Sequence, residues 1–141
     1  MSTRFRTPAC FAALAVAVAL LFAALAGPAP APAAGMPTTA ELARAKGKKQ
    51  NRMYYRLWRT QVSDKNVRWA NGVARCESGR RENAIGGGGL YRGAFQFMKA
   101  TWRTSPQSPG GDPIDYPYAT QAFVAVRLKM RDGAGHWPNC P

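Results

Sequence analysis

Acidic residues are scarce in this chain. It has 141 residues, with 7 Asp and Glu against 20 Lys and Arg, for a formal charge of +13. Its summed field therefore draws polyanions, whether nucleic acid, anionic lipid or wall polymer, and charge alone does not choose among them. Histidine is scarcer still, since His136 stands alone. With one histidine and no Cys-x-x-Cys, a zinc site is not expected, nor is any other metal or cofactor. No nucleophile–base pair is visible either, so His136 reads as a surface or core residue. The glycine run 86–89 lacks the Lys-Ser/Thr ending of a phosphate loop. Cysteine occurs three times, as Cys10, Cys76 and Cys140.

An apolar run extends from Phe11 to Ala26, after Arg4 and Arg6, and ends in Ala24-Leu25-Ala26. This is the three-part plan of a secretory signal peptide, expected at residues 1–26 with cleavage after Ala26. A retained anchor is the competing reading, but the run is shorter than the roughly 20 residues of a spanning helix. After cleavage no stable membrane span is expected, and the protein is expected to be secreted. Loss of Arg4 and Arg6 lowers the charge from +13 to +11. Cys10 leaves too, and Cys76 and Cys140 remain in an oxidising setting, where a disulfide is the default. Such a bridge closes a loop of about 65 residues and contributes on the order of 4 kcal/mol.

Residues 27–40 read as an extended Pro/Ala-rich linker. Thr38-Thr39-Ala40-Glu41 has the spacing of a capping box, predicting a short helix over 39–46 that breaks at Gly47. Residues 41–62 form a basic amphipathic segment in which Lys48, Lys49, Arg52, Arg56 and Arg59 alternate with aromatics. Tyr54, Trp58 and Val62 share one helical face. Two readings stand side by side: a helix docking its aromatic face with its charges in water, or an anchor for an anionic polymer or membrane surface. Cations among aromatics also suit single-stranded nucleic acid, but export argues against a specific nucleic-acid partner.

Ser63 or Asp64 caps a helix expected at 64–78. Ala70, Val73, Ala74 and Glu77 fall on one face, so a carboxylate ends an otherwise apolar stripe. A C-terminal surface glutamate is the plain alternative. The helix dipole and apolar walls both disfavour negative charge there and raise the pKa, as a general acid requires. Arg75, Arg80 and Arg81 pull the other way but are expected to face water.

The run Gly86-Gly87-Gly88-Gly89 is either slack or room for close approach of the backbone to a ligand. Leu90 to Phe97 alternates enough for a short strand or hairpin arm. Thr101-Trp102 lies in a short helix, and 105–113 is a loop. Asp115 or Tyr116 is expected to cap a second long helix, with Ala119, Ala122, Phe123, Val126 and Met130 as its apolar stripe and Gly133 as its stop. Fewer than about 80 residues make up the expected domain, 63–141, and a core that small needs a covalent staple. The fold class is α+β, mainly α, with a short glycine-rich hairpin and one disulfide.

The ordered set Trp69, Val73-Ala74, Cys76-Glu77-Ser78-Gly79, Tyr91, Gly93-Ala94-Phe95-Gln96-Phe97, Thr101-Trp102, Val124-Ala125-Val126 and Trp137-Pro138-Asn139-Cys140 resembles the catalytic domain of resuscitation-promoting factors and related small transglycosylase-like domains. The resemblance implies a lysozyme-like fold and cleavage of the β-1,4 bond between N-acetylmuramic acid and N-acetylglucosamine in peptidoglycan. It implies Glu77 as the catalytic acid, a Cys76–Cys140 bridge, and Tyr91, Gln96, Thr101 and Trp102 in or near the substrate groove. Trp102 and Phe97 are equally eligible for the core. Where the family often has Gly-Asn-Trp after Glu-Ser-Gly, this chain has Arg80-Arg81-Glu82-Asn83, and an aromatic that could line a sugar subsite is missing. The implied partners are glycan strands and anionic wall polymers. A non-catalytic cationic wall-binding module and a cationic membrane-active protein are the alternative functions.

Overall fold

The computed structural model describes residues 38–140. The expected signal peptide, and the linker up to residue 37, lie outside these residues. Helix α1 spans Thr39–Gln61 without interruption. Its capping box is complete: Thr38 Oγ1 accepts from the Glu41 N–H, and the Thr38 N–H donates to the Glu41 carboxylate at 2.7 Å. The expected break at Gly47 does not occur, and the helix begins inside the expected linker. A lone glycine costs a helix only about 1 kcal/mol relative to alanine. Here it is outweighed by strong helix formers on both sides and by the docking of the helix.

That docking rests on Tyr54 and Trp58, both buried. The Tyr54 ring meets Phe123 edge-on at 5.9 Å, and its hydroxyl donates to the Gln107 carbonyl at 2.6 Å. Trp58 meets Tyr118 edge-on at 6.4 Å.

Helix α2, Asp64–Ser78, is capped by Ser63 and closed by Gly79 in the left-handed conformation. Three two-residue strands follow: β1 (Ile85–Gly86), β2 (Tyr91–Arg92) and β3 (Phe97–Met98), antiparallel in that order. The stretch expected as one arm is thus two paired strands, Tyr91 opposite Met98 and Arg92 opposite Phe97. Gly93 (φ +78°) and Gln96 (φ +49°) turn the chain between them.

Helix α3, Lys99–Thr104, leads through a 3-10 turn at Pro113–Asp115 to helix α4, Tyr118–Asp132. The cap expected from Asp115 or Tyr116 comes from elsewhere. Pro117 stands at the N-cap, and Glu82 reaches across the chain to accept from the Tyr118 N–H at 2.7 Å. A carboxylate there also meets the positive end of the helix dipole.

Residues 120–126 of α4 are all buried, because α1 and α2 both pack on it. This central helix is enclosed well beyond a single stripe. Met130, assigned to that stripe, is instead 64% exposed, since it lies past the end of the core. A Cys76–Cys140 disulfide closes the unit. The result is the mainly helical α+β, lysozyme-like domain with a small glycine-rich sheet.

Candidate active site

Seven acids are too few for ambiguity, and six of them are occupied or solvated. Glu41 completes its capping box, and Glu82 caps α4. Asp112 caps the 3-10 turn and holds Lys99 at 2.7 Å, while Asp132 is paired in a forked arrangement with Arg131. Asp64 and Asp115 are exposed. Glu77 alone is partly buried and, among the described residues, has neither a hydrogen bond nor an ion pair. Burial pushes its carboxyl above the ordinary value of 4.5.

Both neighbours of Glu77 are fixed. Cys76 is bonded to Cys140. Ser78 Oγ donates to the Ala94 carbonyl at 2.9 Å and accepts from the Arg81 N–H at 3.1 Å, tying the helix end to the β2–β3 turn. The arginines expected to face water are indeed exposed. Arg81 Nε nevertheless bonds the Ser78 carbonyl at 2.9 Å, and the Arg80 guanidinium lies 4.8 Å from the Tyr118 ring centre.

A cavity of about 200 Å³ opens beside the sheet, with Tyr91, Thr101, Met98, His136 and Trp137 among its walls. Ligand clefts usually measure about 300–1,000 Å³, so this cavity is smaller than a whole groove. Trp137 connects it to the glutamate helix. Its ring packs edge-on against Trp69 of α2 at 5.3 Å, its Nε1 donates to the Phe95 carbonyl at 2.8 Å, and it precedes Cys140 by three residues.

Tyr91 and Thr101, both expected to contact substrate, therefore share one cavity. Gln96 is absent from its walls. The Gln96 amide nitrogen donates to the Gly93 carbonyl at 2.9 Å and shapes the turn, while its oxygen lies against Gly86. Trp102 is corrected to the core: it is fully buried, its Nε1 donates to the Gly110 carbonyl at 2.8 Å, and its ring meets Phe97 at 5.1 Å. Phe97 is buried as expected, although it also reaches the cavity wall.

In the glycine run, Gly86 and Gly87 are closely approached by the Gln96 and Tyr91 side chains, while Gly88 faces open space. Gly87 sits at φ +54°, and a Cβ there would fall 2.6 Å from the Tyr91 ring. The aromatic packs against bare backbone there, which a side chain at this position would prevent.

Two residues make contacts that sequence reasoning did not give. His136 sits in the cavity wall and is held by Asp132, whose Oδ2 lies 3.0 Å from Nε2. Arg131 first, and then His136, keep the Asp132 carboxyl well below the usual carboxylate range. The spacing Asp132-x-x-x-His136 was the available signal. The other is Gln121, fully buried, whose Oε1 accepts from the Ala94 N–H at 2.7 Å and whose Nε2 donates to the Glu82 and Tyr116 carbonyls at 2.8 Å each. It joins turn, cap loop and central helix at one point.

The transglycosylase-like domain model matches residues 63–140, more than half of the chain. The chain belongs to the transglycosylase-like domain family. Its curated relatives include resuscitation-promoting factor RpfD of Mycobacterium tuberculosis (strain H37Rv), 35% identical over 75 residues, covering 53% of this chain and 46% of the relative. Resuscitation-promoting factor RpfC of Mycobacterium tuberculosis (strain Erdman) is 38% identical over 68 residues, covering 48% of this chain and 46% of that one. The chain thus spans about half the length of the curated relatives it matches. No solved structure gives a significant match. The family match begins at the cap of α2, so α1 stands outside it.

Proposed function

We propose that this transglycosylase-like domain is a secreted, wall-associated enzyme that cleaves the β-1,4 bond between N-acetylmuramic acid and N-acetylglucosamine in peptidoglycan. The observation that carries this reading is Glu77, a partly buried carboxyl whose burial raises its pKa, with no internal partner and held between two anchored neighbours. An upward shift of this kind is in the direction a general acid requires.

Most glycosidases use two carboxylates, and the other six acids here are engaged or solvated. One acid suffices when the sugar assists. Glu77 gives its proton to the glycosidic oxygen as the bond to C1 of the muramoyl ring breaks. The ring's own N-acetyl oxygen takes up the positive charge at C1. The Glu77 carboxylate then removes the proton from the C6 hydroxyl, whose oxygen attacks C1, displaces the N-acetyl oxygen and closes a 1,6-anhydro ring. Glu77 ends protonated, ready for another cycle. If water attacks in place of the C6 hydroxyl, the product is a reducing end and the enzyme is a muramidase. Tyr91, Thr101 and His136 would hold a neighbouring sugar.

The test is product analysis of purified sacculi digested by the wild type and by Glu77→Gln. Anhydro ends identify a lytic transglycosylase and reducing ends a hydrolase. Loss of cleavage with retained affinity in the variant is the expected outcome. An active preparation indifferent to the substitution would sink the assignment. A second reading, a non-catalytic wall-binding module, is favoured by the cations of α1, and it predicts no cleavage by either form.

A further inference from the structure

We infer that the outer face of α1 is a docking surface for a linear phosphate-bearing wall polymer, separate from the glycan site. The buried face of α1 is taken up by Tyr54 and Trp58 against α4. At 100° per residue, Lys48, Lys49, Arg52, Arg56 and Arg59 fall on the opposite side within one arc, and all five are exposed. They form a ridge of roughly 16 Å at 1.5 Å per residue.

Among the described residues none of the five is in an ion pair, and Glu41, the helix's own acid, is engaged at the far end. Residues 1–37 contain no acid either. Docking against α4 holds the ridge in one geometry, so its charges act together rather than as a loose tail. Three of the five are arginines, whose planar guanidinium forks match phosphate oxygens two at a time. A helix that lies in a membrane needs a broad apolar face outward. Here Tyr54 and Trp58 are turned inward, and the ridge itself is cationic, although Leu42, Met53 and Tyr55 stay exposed elsewhere on the helix. Because α1 precedes the family match at residues 63–140, the ridge lies outside the matched domain.

The assignment of a wall source leans on the exported setting of the proposed function but not on Glu77. The test compares two variants of the full chain with equal net charge: Arg52→Gln/Arg56→Gln/Arg59→Gln on the ridge, and Lys65→Gln/Arg68→Gln/Arg103→Gln elsewhere on the exposed surface. The probe is soluble poly(glycerol phosphate). The wild type should bind it at low salt, and affinity should fall steeply as salt rises. The ridge variant should lose at least about tenfold in affinity and the control variant less than about threefold. Both should keep wild-type unfolding temperatures and wild-type cleavage of a short soluble glycan.

In a Glu77→Gln background, walls stripped of phosphodiester-linked polymers with hydrofluoric acid should retain less protein than untreated walls. Equal losses in the two variants would show a general charge effect and overturn the site. Equally tight binding to polygalacturonate would overturn the phosphate assignment. Loss of phosphatidylglycerol-vesicle binding in the ridge variant, with polymer binding intact, would reassign the face to lipid and also overturn it. Failure of cleavage with ridge binding preserved would strike only at the proposed chemistry.

Discussion

Glu77 carries opposite consequences for stability and for catalysis. Its folded-state pKa is raised, so the folded protein holds that proton more tightly than the unfolded chain. The contribution is most favourable below the unfolded pKa and is lost as pH rises through the folded one. Glu77→Gln should therefore unfold at a higher temperature than the wild type at pH 7 and match it near pH 3, as a pair of thermal melts will show. The same variant should lose about 10²–10⁴ of its turnover, the usual worth of a general acid. The wild-type rate should fall on the alkaline side with a midpoint above 4.5, the ordinary value for this carboxyl, and any residual activity of the variant should lack that limb. Gln121 makes the opposite case, structure without chemistry. Gln121→Leu strands the Ala94 N–H and two carbonyls in the interior. At about 1–3 kcal/mol for each orphaned group, a loss of roughly 3 kcal/mol or more is expected. That corresponds to a fall of more than about 10 °C in Tm for a domain this small. Glu77 was legible in the sequence because a helix face and a glycine stop are local. Gln121 was not, because its three partners come from distant stretches. His136 is exposed, in keeping with its expected surface reading, but its place beside Tyr91 and Thr101 was not legible, since nothing in its own segment announces them.

At the scale of elements, α2 was readable to the residue. A Ser-Asp start, an apolar stripe and a terminal glycine all act within a few residues. The start of α4 was not, because its cap is Glu82, far back along the chain. The short sheet was blurred because two-residue strands carry too little alternation to reveal a turn between them. Trp102 could not be placed from spacing alone: a tryptophan on a six-residue helix faces core or groove according to what packs above it, here Phe97 and Tyr116. The disulfide joins the glutamate-bearing end of α2 to the strand-free tail that carries Trp137 and His136. Replacing both Cys76 and Cys140 by serine should cost on the order of 4 kcal/mol by denaturant melt. Turnover measured well below the new midpoint should fall as well, since the tether beside Glu77 is gone. Unchanged turnover in the folded double variant would mean that the bridge serves stability alone.

For the whole molecule, a charge of +13 with an exposed cationic ridge predicts that ionic strength acts on association more than on chemistry. The screening length shrinks from about 10 Å at 0.1 M salt to about 3 Å at 1 M. Cleavage of intact walls should therefore drop severalfold over that range, while turnover of a short neutral glycan should change little, as parallel assays will show. The charge excess was plain from composition. Its arrangement on a docked helix was one of the two readings of residues 41–62, and the burial of Tyr54 and Trp58 bears it out. The extent of that helix was not legible, because Gly47 gave a false stop.

The attachment of α1 has one more result. A protein trimmed to the family boundary at residue 63 would expose the Phe123 and Tyr118 rings that Tyr54 and Trp58 now cover. That open socket on the central helix is sticky. The shortened form should self-associate on a sizing column, and a synthetic peptide of residues 38–62 should restore the monomer. Here the family boundary of a domain and the physical edge of its interior are different places.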